Sequence, residues 1–174
     1  MNYIANVLTG LRLSLALVLP ILGASAGAGR LEIAVYLMLF AWMSDFFDGT
    51  VARQTERESS SWLGAHDLHV DMAVSAGLLL YMTQSHFVPA ALAILYVLAW
   101  TIVFWRLGIE KASGSLVQAL IYGWFLWVAG HEAPQAAIWV LVWMVILLAF
   151  TWRQFVGIVV PEFLGGMGKI LRSR

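Results

Sequence analysis

SDFFDGTVAR, residues 44–53, and LGAHDLHVD, residues 63–71, decide how this chain folds and what it can do. Each joins an apolar run to aspartates: Asp45 and Asp48 in the first stretch, Asp67 and Asp71 in the second. A carboxylate at membrane depth costs several kcal/mol unless it is paired or hydrated, so four together mark a functional site. Asp45 and Asp48 are three residues apart and Asp67 and Asp71 four apart, which puts each pair on one face of a helix. The short connection between the two runs makes them antiparallel neighbours with both pairs at similar depth. Carboxylates packed this closely demand a cation. Hard oxygen donors favour Mg²⁺, Mn²⁺ or Ca²⁺ over zinc, and a cluster this acidic has the charge to hold two ions. His66 and His69 flank the second pair, and imidazole would suit zinc; they are expected instead to hydrogen-bond between helices or to meet substrate. Gly49, Ala52 and Gly64 are small enough for a flat ligand group to approach the backbone, although small residues also serve helix packing in membranes. Arg53 either neutralises the carboxylates, holds a phosphate or snorkels to the boundary.

The rest of the chain puts these residues in lipid. Of 174 residues, 61% are hydrophobic and 11% charged, and the mean hydropathy is +0.84, more apolar surface than a soluble domain hides. Cysteine is absent, which excludes disulfides and thiolate metal sites, and the formal net charge of +0 gives no field for nucleic acid. Apolar runs near residues 7–25, 31–52, 62–83, 87–106, 114–130 and 135–158 predict an all-α integral membrane protein. Six transmembrane helices form a single bundle and one domain, residues 1–174, with 23–29 as a flexible turn. With an even number of spans, Arg53, Arg57, Arg106, Lys111, Lys169, Arg172 and Arg174 share a face and Arg30 lies opposite, so both termini are expected in the cytoplasm. The first run reads as a retained helix and not a signal peptide, since it lacks a basic leader and is interrupted by Arg12. Trp62, Trp105 and Trp124 fall near span ends, where interfacial anchoring and core packing both account for them. The tail, residues 161–174, combines apolar residues with Lys169, Arg172 and Arg174 and is expected to lie on an anionic cytoplasmic surface.

DFFDGTVAR, followed by Gly64, Asp67 and Asp71, resembles the signature of the CDP-alcohol phosphatidyltransferase family, D-x2-D-G-x2-A-R-x8-G-x3-D-x3-D. Its first nine positions match fully. Ten residues stand where the signature has eight before Gly64, two where it has three after it, and the spacing from Asp67 to Asp71 is restored. The resemblance implies a six-helix core, usually homodimeric, in the bacterial inner membrane or its equivalent, with the active site at the cytoplasmic face. It implies that Asp45, Asp48 and Asp67 hold metal, Mg²⁺ or Mn²⁺ and two ions, with Asp71 completing the acidic set as general base. Gly49, Ala52, Arg53 and Gly64 would contact the nucleotide. Asn6, Leu8, Thr9 and Arg12 resemble the N-x-L-T-x-x-R opening of phosphatidylglycerophosphate and cardiolipin synthases, with Ala5 where those enzymes usually have proline. This favours CDP-diacylglycerol as donor and a small alcohol, first glycerol 3-phosphate, as acceptor. Phosphatidylglycerol, inositol phosphate and serine remain alternative acceptors, as no lysine-rich acceptor segment is apparent near residues 114–118. Arg106, Lys111 and Arg153 are the candidates to bind an acceptor phosphate, or else anchor the cytoplasmic boundary. Two readings of other classes stand beside this one: a divalent-metal transporter using the aspartate cluster, and a family member that binds or assembles without catalysing.

Overall fold

The computed structural model describes residues 2–54, 67–108, 111–154, 156–157 and 160–161; within these, the side chains of 2–6, 8, 48–54, 67, 107, 111–112 and 153–154 fall outside the description. Its elements are α1 (Asn2–Ala26), a 3-10 turn (Gly27–Arg30), α2 (Leu31–Gln54), α3 (Asp67–Gln84), α4 (Ala90–Leu107), α5 (Lys111–Glu132) and α6 (Pro134–Gln154). They coincide with the six apolar runs to within a few residues where both are described. The turn is shorter than the expected residues 23–29, because Gly23 stays helical and packs on α3: a Cβ there would lie 3.1 Å from the Tyr81 Cα. Trp62, Gly64, His66 and the tail from 162 lie outside the described residues.

Among the described residues, two segments, Thr9–Phe47 and Pro134–Trp152, are long and apolar enough to cross a membrane, with mean hydropathies of 1.7 and 2.0. The outer surface is apolar well beyond them. Leu17, Ile21, Leu95, Trp105, Val145 and Phe150 are all exposed, an exterior that suits hydrocarbon and not water. Inside, Leu19 of α1, Met38 of α2, Leu78 of α3, Phe125 of α5 and Val140 of α6 are fully buried in one core. The Trp42 and Tyr122 rings meet edge to face at 5.4 Å and join α2 to α5.

The closest docking in the bundle is α1 against α3. Pro20 lies inside α1 and has no N–H, so the Ala16 carbonyl, four residues earlier, lacks its helical donor. Gly77 of α3 sits against that carbonyl, where a Cβ would fall 2.6 Å from the oxygen. The glycine hydrogen in that place points at the carbonyl and offers it a weak C–H···O partner. Contacts at Arg12 with Asp71, Ala16 with Gly77 and Gly23 with Tyr81 advance together along both helices, so α1 and α3 run parallel. α2 packs on α1 and has little direct contact with α3, so the two helices expected to be antiparallel neighbours are joined through α1.

At its C-terminus α3 closes in a Schellman motif: Phe87 N–H donates to the Met82 carbonyl at 2.9 Å and His86 N–H to that of Thr83 at 3.2 Å. His86 occupies the left-handed position of the motif, φ 61.

Gly77→Ala forces the Ala16 backbone aside and is expected to destabilise the protein by about 1–3 kcal/mol, read as a lower melting temperature in detergent. Gly123→Ala, with nothing within 4 Å of the added carbon, is expected to be neutral or stabilising in the same measurement. His86→Gly relieves a left-handed conformation worth about 1 kcal/mol and is expected to raise the melting temperature.

Candidate active site

Arg12 is the buried centre of the site. It lies midway along α1 with 2% of its side chain exposed, and no polar neighbour within its own helix could balance its charge. Asp45 of α2 and Asp71 of α3 do so. The Nη1 atom of Arg12 donates to the Asp45 Oδ1 at 2.7 Å and to the Asp71 Oδ1 at 2.8 Å, the short distances of charge-assisted bonds. One guanidinium nitrogen thus ties together three helices. Asp71 is partly buried, 27% exposed, and Asp45 is the more open of the two at 51%.

These groups border a cavity of about 70 Å³ lined by Arg12, Asp45, Asp71, Trp42, Gln118 and Tyr122, with Met38, Ala41 and Val74 as its apolar wall. That is room for water or a small polar group. The Gln118 Nε2, a donor, is buried with no hydrogen-bond partner among the described residues.

Of the residues expected from sequence, Asp45 and Asp71 come together, through Arg12 of α1. Asp48, Gly49, Ala52 and Arg53 fall in the last two turns of α2, and Asp67 opens α3. Their backbone continues the two helices that carry Asp45 and Asp71, but their side chains are outside the described set, as are those of Lys111 and Arg153. Gly64 lies outside the described residues altogether. Arg106 is exposed in the last turn of α4 and does not line the cavity. His69 is exposed on α3.

Among the described residues, no three of His, Cys, Asp and Glu gather into a metal-holding group; the donors in view are two carboxylates from two helices. Their chemistry fits a hard divalent cation. Both present an oxygen to the same small gap, without sulfur, and the gap already holds a positive charge.

Sequence reasoning missed the part played by Arg12, and with it Gln118, Tyr122 and Trp42. A signal was present, since an arginine in the middle of an apolar run must find a carboxylate. Nothing in the sequence tells that it finds Asp45 and Asp71 together.

An all-helical bundle with an apolar exterior and an acidic cluster at helix depth defines a membrane protein built around charged-ligand chemistry. Compared with known families, residues 2–165 match the family model for CDP-alcohol phosphatidyltransferase, and the chain belongs to that family. It is therefore a membrane transferase of phospholipid biosynthesis, moving a substituted phosphate group out of a CDP-alcohol, and enzymes of this family work with divalent metal ions. Comparison with curated proteins and with solved structures returns no match.

Replacing Arg12 by methionine strands the two carboxylates. Arg12→Met is expected to cost about 3–5 kcal/mol, as for a buried pair that loses one partner, seen as early unfolding in a detergent melt. Arg30→Met, at an exposed arginine on the turn after α1, is expected to leave the melt unchanged.

Proposed function

We propose that this protein transfers the phosphatidyl group of CDP-diacylglycerol to a small alcohol, glycerol 3-phosphate in the first instance, with release of CMP. The observation that carries this reading is the convergence of Asp45 and Asp71 at the edge of one cavity, from the two helices that bear the family's motif. The donor assignment is supported by the N-terminal N-x-L-T-x-x-R pattern, whose Thr9 and Arg12 are both buried at the bundle core. A phosphorylated acceptor is favoured by the basic residues Arg106, Lys111 and Arg153, which fall in the last turn of α4, at the first residue of α5 and near the end of α6.

In this reading the acceptor hydroxyl oxygen attacks the phosphorus that bears the diacylglycerol. A new P–O bond forms, the bond from that phosphorus to the oxygen of CMP breaks, and CMP leaves with the electron pair. Asp71 takes the proton of the hydroxyl, a general-base step. Asp45, Asp48 and Asp67, together with Asp71, are the residues that would hold Mg²⁺ or Mn²⁺, two ions for four carboxylates. Bound there, divalent metal supplies positive charge to the pyrophosphate and to the departing CMP. Gly49, Ala52, Arg53 and Gly64 receive the cytidine end of the donor. The protein acts as a homodimer with six spans and both termini in the cytoplasm, the face on which CDP-linked donor and water-soluble acceptor meet.

The test is CMP release from CDP-diacylglycerol by the purified protein with Mg²⁺ or Mn²⁺, comparing glycerol 3-phosphate, serine, inositol phosphate, phosphatidylglycerol and no acceptor. Release that depends on glycerol 3-phosphate supports the full reading; release that depends on another acceptor keeps the chemistry and replaces the product. Asp71→Asn is expected to lower turnover by about 10²-fold or more while donor binding persists. Asp45→Asn is expected to lose metal and donor affinity together, and unimpaired turnover in either variant refutes these roles.

A further inference from the structure

We infer that Arg12 is a resident counter-cation that competes with divalent metal for Asp45 and Asp71, and that metal loading releases its guanidinium toward the cavity lined by Gln118 and Tyr122. The inference rests on the metal-holding role proposed for these aspartates and adds a residue of α1 to the metal's binding equilibrium.

The geometry points to competition. The two Oδ1 atoms accept from the same Nη1 at 2.7 and 2.8 Å, so they lie no farther apart than those two bonds laid end to end. A divalent ion that drew on the same two oxygens at its own contact distance of about 2.0–2.5 Å would occupy the place of that nitrogen. Two cations held that close repel each other strongly in a site with little water. Arg12 itself has 2% exposure, so it cannot retire to solvent, and its guanidinium, always charged, cannot escape the conflict by losing a proton.

The cavity provides the place to go. It adjoins Arg12 and has space for a group of a few atoms. Gln118 and Tyr122 line it, and amide and phenol oxygens accept hydrogen bonds from a guanidinium. A guanidinium turned into this space presents its donors to any anionic group that enters, which couples metal loading to readiness for a phosphate-bearing ligand. Arg12 acts here as a positioning residue, through the carboxylates and the cavity.

The experiment measures Mn²⁺ affinity by titration calorimetry on the full-length protein in detergent, without substrate. Removing the competing charge in Arg12→Gln is expected to tighten Mn²⁺ binding by about tenfold or more, the worth of a charge-assisted hydrogen bond. Arg12→Lys, which retains the cation, is expected to stay close to wild type. Equal or weaker binding in Arg12→Gln overturns the inference, because an arginine that only glues the helices, or that helps to orient the ligands, gives that result. A second readout is taken on the wild type: the side-chain Nε–H resonances of ¹⁵N-labelled arginine, recorded with and without diamagnetic Mg²⁺. The Arg12 resonance is expected to shift with metal while that of exposed Arg30 stays constant, and an Arg12 resonance that metal leaves unmoved refutes the release. Wild type that takes up no Mn²⁺, or takes it up equally as Asp45→Asn, overturns the proposed metal role and the inference together. Binding that depends on Asp45 but is indifferent to Arg12 overturns the inference alone.

Discussion

A guanidinium with 2% exposure in the middle of an apolar helix leaves the chain little choice of packing. Taking such a charge out of water costs several kcal/mol, and the loss is recovered only when carboxylates stand at hydrogen-bond distance. In this bundle they come from two other helices, Asp45 on α2 and Asp71 on α3. Sliding α1 by a single turn would separate all three charges in a low-dielectric interior. The pairing therefore acts less as a source of net stability than as a register pin: it fixes the depth of α1 against its neighbours, and with it the depth of the acidic site.

Depth alone would not bring the groups into contact. The helices must also approach closely, and the packing residues near the ion pairs arrange this. Pro20 deprives Ala16 of a helical donor, and Gly77 lets α3 rest against the exposed carbonyl. Ala16 is one turn beyond Arg12, so the tightest backbone approach lies next to the strongest electrostatic contact. Gly23 repeats the device near the other end, against Tyr81 and Gln84. α5 then closes the site from the opposite side, with Tyr122 set against Trp42 and Gln118 facing the cavity.

The same arrangement suits the chemistry of a CDP-alcohol phosphatidyltransferase. Its donor carries a pyrophosphate and its reaction moves negative charge onto a departing nucleotide. A site rich in carboxylates repels such a ligand unless cations stand between them. The fold itself supplies one cation at the carboxylates, Arg12, and surrounds the group with an apolar exterior that the lipid portion of a substrate can share. Acidic side chains at helix depth thus become tolerable before any ligand arrives.

Much of this was legible in the residues. Apolar run length located the helices because backbone in lipid has to satisfy itself within each segment, and the runs near 31–52 and 87–106 correspond closely to α2 and α4. The motif from Asp45 to Asp71 singled out Asp45 and Asp71, which the fold brings together at Arg12, since helical spacing fixes which residues of one helix share a face. Gly23 was misread as part of a flexible turn, as glycine in a sequence looks the same whether it bends a chain or admits a neighbouring helix. Arg12 was visible as an interruption, yet its pairing with Asp45 and Asp71, the cavity and the approach of Gln118 and Tyr122 were not. The sequence by itself determined which segments are helical and which charges they carry, because those depend on local spacing and on hydropathy. The tertiary structure decided which helices run side by side and at what depth, because a buried charge is balanced, and a small residue put to use, only by a surface brought in from far along the chain.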